Sequence, residues 1–380
     1  MPKIIAVFCD GTWNNESIDI PTHVRKCAQA CAQTDTQVAA YFSGVGARTR
    51  STWAGTQFWK YGGGIFGWGL NQRIREAYAF VVENYEPGDR LMVFGFSRGA
   101  YTARSLVGMI RKCGIMERSK LAPYALQDAF RLYRTPGAEN HPDAPHIMEK
   151  RRKISPRFAT SEADLAARDG DAQLVSISYL GVWDTVGALG IPVSVFGALA
   201  NIVNWRHRFH DTELSSLVKA ARHAVAIDEK RKLFEPALWS NLGPHKKSDG
   251  SESLGLNQGT TGDQRPYQQL WFIGNHGTVG GTSKMSGLAA ISRDWILEGA
   301  LDRGLELSHD AAFTLPNAAE PGNPGSASGL YDVVPSLLAW RKGPGDDADL
   351  HPSVDERLDG VPAYRPQSLR GVRPYKISPV

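Results

Sequence analysis

The chain has 380 residues, 42% of them hydrophobic and 22% charged, and a formal net charge of +4. This composition belongs to a globular protein able to bury a large core, and it excludes a collagen-like, low-complexity or wholly disordered chain. So small a positive balance leaves no electrostatic footprint for nucleic acid, and no stretch reaches the roughly 18 consecutive apolar residues of a membrane-spanning helix.

The first predicted strand lies in "KIIAVFCDG" (3–11), directly behind the initiating methionine. Its flanks lack the basic start, long apolar stretch and small-residue cleavage site of a signal peptide, so the chain is expected to be cytoplasmic as synthesised. Export by a route that needs no such signal stays compatible with this start. "THVRKCAQACAQT" then reads as a helix and "QVAAYFSGVG" (37–46) as a second strand. "GLNQRIREAYAFVVENYEPGD" is helical up to its Pro87-Gly88-Asp89 stop, "RLMVFGFSRG" (90–99) is a third strand, and "AYTARSLVGMIRKCGI" is the helix after it. Residues 135–170 are polar and charged, which suggests a surface excursion. A fourth strand lies in "LVSISYLGVWDTVG" (174–187) and a fifth in "QLWFIGNHG" (269–277), whereas "AARHAVAIDEK" around His223 reads as helix. Residues 240–266 are rich in Gly, Ser and charge and read as a loop.

None of the strand runs alternates cleanly between apolar and polar, as expected of parallel strands covered on both faces. Strands interleaved with helices imply an α/β class, a mostly parallel, doubly wound, α/β-hydrolase-like sheet with loop or lid insertions. One catalytic domain is expected over 1–310, with insertions near 135–170 and 240–266, and a C-terminal extension over 311–380 packed on the same domain. The four cysteines show neither a disulfide framework nor metal-ligand spacing, which fits a reducing compartment. No metal and no cofactor is called for.

Every strand run ends in glycine and a polar residue: Asp10-Gly11-Thr12, Gly44-Val45-Gly46, Ser97-Arg98-Gly99, Asp184-Thr185 and His276-Gly277. A parallel sheet gathers these ends on one edge, where ligands bind. Gly95-Phe96-Ser97-Arg98-Gly99 fits the G-x-S-x-G pattern of a nucleophile on a tight strand-to-helix turn. Glycines two positions either side of the serine remove side chains that would clash with the flanking strand and helix. An activated serine needs an oriented base, and His276, closing a strand at the same edge, suits that role better than His223. The acid holding the imidazole is Asp184, with Asp228 as the alternative. The order Ser97, Asp184, His276 is the order found in α/β-hydrolases. Backbone N–H groups of Gly11 or Thr12 and of Arg98 are candidate donors to an oxyanion, while Asp10 either anchors its loop or binds a cation.

The segments "FCDGTWNN", "FGWGLNQRIREAYAFVVENYEPGDRLMVFGFSRGAYTARSLVG", "YLGVWDTVGALG", "RHAVAIDEKRKLFEPALW" and "WFIGNHGTVGG" resemble, in this order, the motif series of the DUF2235 family, the catalytic domain of type VI secretion phospholipase effectors of the Tle1 type. The resemblance covers roughly residues 3–305. It implies an α/β-hydrolase fold and a Ser-Asp-His triad acting on lipid esters, with the nucleophile at Ser97, the base at His276 and the acid at Asp184 or Asp228. With no dedicated membrane anchor in the sequence, any contact with lipid is expected to be peripheral, and a secretion-system or immunity protein is a candidate partner. The last motif departs from the family pattern G-x-H-x-D-V-G-G by carrying Thr278 where an Asp is usual. Two apolar stretches, 51–69 and 191–205, either line an acyl pocket, cover the site as a lid or pack into the core. The expected activity is hydrolysis of lipid or other acyl esters. The alternatives are a soluble carboxylesterase or thioesterase, and a non-catalytic binding module on a hydrolase scaffold.

Overall fold

The computed structural model describes residues 2–11, 20–44, 63–168, 170–187, 213–246, 251–325 and 337–374, with the backbone alone at 63–68 and 233. The described elements run β1 (Ile4–Cys9), α1 (His23–Ala30), β2 (Gln37–Phe42), α2 (Gly63–Asn84), β3 (Arg90–Phe96), α3 (Arg98–Cys113), α4 (Pro123–Arg134), α5 (Pro145–Ile154), α6 (Glu162–Ala166), β4 (Ile177–Trp183), β5 (Ala221–Ala226), β6 (Tyr267–Phe272), α7 (His276–Gly280), α8 (Ser286–Leu301) and α9 (Ser353–Gly360). Shorter turns and two small two-stranded ladders lie between them.

The six strands form one parallel sheet in the order β6-β5-β4-β3-β1-β2. All positions of β1 and of β4 are buried, which is what their unbroken apolar runs require in a sheet covered on both faces. Alternate residues feed two cores. Ile5, Val7, Leu91, Val93 and Leu180 pack with α2 and α3, whereas Ile4, Ala6, Phe8, Met92 and Phe94 pack with α1, α8 and α9. On the second face Phe8 and Phe94 stack at 4.7 Å between ring centroids. The sheet is thus α/β-hydrolase-like, with helices on both sides.

The side on which strands are added reverses between β1, which leads to β2 on one side, and β3, which leads to β4, β5 and β6 on the other. Ligand sites favour such a switch point at the carboxyl edge. Register brings the strand ends together: Cys9 pairs with Gly95, Phe96 with Trp183, Trp183 with Ala224, and Ala226 with Phe272. The residues immediately following β1, β3, β4, β5 and β6 therefore share one edge.

One local reading changes. His223 lies on β5, not on a helix. Its Ala-rich neighbourhood favours helix by intrinsic propensity, but the small residues fit a strand buried between two parallel neighbours, and tertiary context wins. Within the predicted surface excursion, α5 and α6 are joined by a buried ion pair, Arg151 Nε to Asp164 Oδ2 at 2.8 Å with both side chains fully buried. Among the described residues, no helix is long and apolar enough to cross a membrane.

Candidate active site

Ser97 sits between β3 and α3 with φ 58° and ψ −123°, a conformation L-residues avoid, and is only 4% exposed. The glycines around it are steric necessities. A Cβ at Gly95 would come within 2.5 Å of the Gly99 carbonyl oxygen, and one at Gly99 within 2.2 Å of the Cys9 carbonyl oxygen. The Ser97 N–H donates to the Trp183 carbonyl at 3.0 Å, which ties the turn to the end of β4.

Asp184 and His276 meet Ser97 there. The Ser97 hydroxyl lies 2.8 Å from His276 Nε2, and His276 Nδ1 lies 2.6 Å from Asp184 Oδ2. An ionised carboxylate can only accept, so Nδ1 carries the ring proton and Nε2 presents its lone pair to the serine O–H. Asp184 is itself in the left-handed region, with φ 37°. Its N–H donates to the Ala224 carbonyl at 2.7 Å, and its Oδ1 accepts from the Ala226 N–H at 2.9 Å. The imidazole is held between Phe96, with ring centroids 4.6 Å apart, and Phe234, 4.7 Å away edge-on. Gly280 makes room for Phe96, since a Cβ there would fall 2.1 Å from the ring.

Burial lowers the His276 pKa, and the hydrogen bond and charge of Asp184 recover only part of the drop, so the ring is neutral at neutral pH. Burial would raise the Asp184 pKa, but the guanidinium of Arg341 and the His276 hydrogen bond outweigh it and hold the carboxyl well below the usual carboxylate range. The backbone N–H of His276 donates to Glu229 Oε2 at 3.1 Å. Glu229 is locked in turn by Arg231 through Nε–Oε1 at 2.7 Å and Nη2–Oε2 at 2.6 Å.

The other sequence candidates lie elsewhere in the same edge. Asp228 turns from the imidazole and accepts from the Gly274 N–H at 2.7 Å and the Tyr364 hydroxyl at 2.8 Å. Asp10 anchors its loop, accepting from the Thr22 hydroxyl at 2.7 Å and the Tyr41 hydroxyl at 2.7 Å. The Gly11 N–H donates to Asp10 Oδ1 at 2.7 Å, so this amide is engaged and not presented to an oxyanion. Thr12, residues 51–62 and residues 191–205 lie outside the described residues. Arg98 opens α3, so its N–H lies at the helix N-terminus, next in the chain to Ser97. His223 is fully buried, its Nε2 accepting from the Thr185 N–H at 3.2 Å and its Nδ1 facing Gln269 Oε1 at 3.0 Å. That is a structural histidine within the β5 environment. Thr278 is buried and donates its N–H to Asn275 Oδ1 at 3.0 Å. An acid at this position could reach back to the Asn275 N–H; the Pro324 carbonyl accepts that N–H at 3.1 Å. Among the described residues no group of three or more His, Cys, Asp or Glu could hold a metal ion.

Sequence reasoning missed Arg341. It reaches Asp184 with both terminal nitrogens, Nη1 to Oδ1 at 2.7 Å and Nη2 to Oδ2 at 2.9 Å. The one local signal was an arginine placed directly behind the apolar run "LLAW".

A family model described as T6SS phospholipase effector Tle1-like, catalytic domain, matches residues 3–299. Among curated proteins, uncharacterized protein YEL023C of Saccharomyces cerevisiae is 30% identical over 179 residues, which is 47% of this chain and 23% of that protein. A crystal structure of an uncharacterized protein from Pseudomonas aeruginosa is similar with TM-score 0.42 and 17% identity, over 81% of this chain and 46% of that one. The Tle1 effector, solved bound to the VgrG spike of the type VI secretion system, has TM-score 0.34 and 17% identity, over 74% of this chain and 51% of that one. The chain thus spans about half the length of these solved chains and about a quarter of the yeast protein.

Proposed function

This chain belongs to the family of type VI secretion phospholipase effector Tle1-like catalytic domains, and on that premise we propose that it is a serine ester hydrolase acting on phospholipid or related acyl esters. The observation that supports the chemistry is the continuous run of hydrogen bonds from Ser97 through His276 to Asp184. In this reading His276 Nε2 takes the hydroxyl proton as Ser97 Oγ attacks the ester carbonyl carbon. The new C–O bond leaves the former carbonyl oxygen negative, and the Arg98 N–H at the start of α3 donates to it. A second donor comes from the loop after β1, where Thr12 is the candidate now that Asp10 engages the Gly11 amide.

His276 then hands its proton to the departing alcohol oxygen, the ester C–O bond breaks, and an acyl-Ser97 remains. Water enters, gives its proton to His276 and attacks the acyl carbon, and the same proton restores the Ser97 hydroxyl as the acid leaves. Asp184 stays ionised throughout and stabilises the imidazolium that forms twice per turnover.

The phospholipase assignment rests on the family. Delivery by a secretion spike would follow if this chain resembles the Tle1 effector in its partner as well, and contact with lipid would then be peripheral. The purified chain is expected to hydrolyse p-nitrophenyl acyl esters and to release fatty acid from phospholipid vesicles. The Ser97→Ala variant should lose both activities by at least about 10³-fold. Short-chain esters cleaved with vesicles untouched would mean a soluble carboxylesterase, and an unchanged rate in the variant would overturn the mechanism.

A further inference from the structure

Asp184 is fully buried, and a buried carboxylate unassisted by a cation takes up a proton. A protonated Asp184 would lose its hold on the Nδ1 proton of His276, and with it the tautomer that leaves Nε2 free to accept from Ser97. The fork that prevents this comes from outside the segment matched by the family model, which ends at residue 299. Arg341 is buried and grips both carboxylate oxygens, while its Nη1 also donates to the Ala226 carbonyl at 2.9 Å and its Nη2 to the Phe234 carbonyl.

The segment bearing Arg341 is fastened along the same sheet edge. Ala339 N–H donates to the Lys230 carbonyl at 2.7 Å, and Leu338 bridges Arg231. Farther along, the Ser368 hydroxyl donates to the Ile227 carbonyl at 3.0 Å and the Tyr364 hydroxyl to Asp228 at 2.8 Å. Leu350, Val354, Leu358 and Leu369 drop into the second core. These contacts run along the residues that follow β5, and Leu350 bridges Trp271 of β6.

We propose that Arg341 is a positioning residue of the hydrolytic site: from a C-terminal strap it fixes both oxygens of Asp184, so that Oδ2 faces His276 and stays ionised. This rests on the Ser97–His276–Asp184 reading above. A bidentate guanidinium fixes the plane of a carboxylate in a way a single ammonium cannot, which separates this role from simple charge neutralisation. The role has an electrostatic signature. The charged groups facing the imidazole are Asp184 and, behind it, Arg341 on one side, and Glu229 with its partner Arg231 on the other. Removing the guanidinium makes Asp184 easier to protonate and strengthens its unshielded pull on a proton at His276. Both effects move the acid limb of activity toward higher pH.

The test uses the full chain and p-nitrophenyl butyrate, with kcat and KM measured from pH 4.5 to 9 for wild type, Arg341→Lys and Arg341→Met, and folding checked by circular dichroism. Arg341→Met is expected to lose about 10²-fold in kcat with KM within about threefold, and its acid limb to move up by about one pH unit. Arg341→Lys should fall between, with the same sign of shift. In an Asp184→Asn background, Arg341→Met should change kcat by less than about threefold, because the residue acts through that carboxylate. Folded Arg341 variants with the wild-type limb, or the same loss in the Asp184→Asn background, would overturn the proposal. If Arg341→Met does not fold, Arg341→Lys carries both readouts. Loss of activity in Ser97→Ala beside unaffected Arg341 variants would sink this inference alone. A wild type that neither turns over ester nor reacts with a fluorophosphonate would sink the hydrolytic reading, and this inference with it.

Discussion

Two buried carboxylates stand side by side at the ends of β4 and β5. Asp184 and Asp228 are 0% and 2% exposed, so desolvation pushes both toward the neutral form. Asp184 meets a bidentate guanidinium and an imidazole N–H, and its pKa falls well below the usual range. Asp228 meets one amide and one tyrosine hydroxyl, with Arg357 and Lys230 acting only at a distance, and burial leaves its pKa at about 6. Depth is therefore not what selects the carboxylate able to hold a histidine tautomer. The partner decides: the guanidinium keeps Asp184 ionised to far lower pH than Asp228, and it is Asp184 whose carboxylate faces the imidazole N–H.

The contrast breaks most directly in activity. Asp184→Asn is expected to lower kcat by about 10⁴-fold, since an amide that donates toward Nδ1 favours the wrong tautomer. Asp228→Asn should stay within about threefold of wild type, because an amide oxygen can still accept from Gly274 and Tyr364. Comparable losses in the two variants, measured with the same ester, would erase the distinction.

A smaller effect sharpens it through stability. The folded pKa of Asp228 is raised above its unfolded value of 3.8, so its contribution is fully present below about pH 4 and is lost as pH rises through about 6. The folded pKa of Asp184 is depressed, so its contribution is present above the unfolded value and is lost only as pH falls below it. Urea unfolding of wild type and Asp228→Asn between pH 4 and pH 8 should therefore show wild type losing ground to the variant by about 2 kcal/mol as pH increases. A difference that does not change with pH would mean that Asp228 is ionised throughout, like its neighbour.

How much of this could be read in the chain depended on distance along it. The turn around Ser97 needs five contiguous residues between an apolar run and a helical one, and its steric logic is local, so the glycines and the serine were legible together. The parallel sheet was legible from unbroken apolar runs, and it brought the polar strand ends to one edge before any side chain was placed. Asp184 could be ranked ahead of Asp228 but not separated from it, because both follow apolar runs and only register and side-chain partners tell them apart. β5 was missed because "ARHAVA" carries the propensities of a helix while its burial is set by two neighbouring strands. Engagement of the Gly11 amide by Asp10 depends on a side-chain rotamer. Arg341, separated from Asp184 by 157 positions, belongs to a Pro- and Gly-rich stretch without a motif, and only the folded chain brings the two together.

In the proposed mechanism His276 activates the Ser97 hydroxyl, and a fluorophosphonate probe reports that activation without depending on the substrate. Peptide mapping by mass spectrometry is predicted to find one phosphonylated site in the wild-type chain, on Ser97, with the labelling rate reduced by at least about 10²-fold in His276→Ala. An adduct on another residue, or a His276→Ala variant labelled as fast as wild type, would mean that His276 does not activate Ser97.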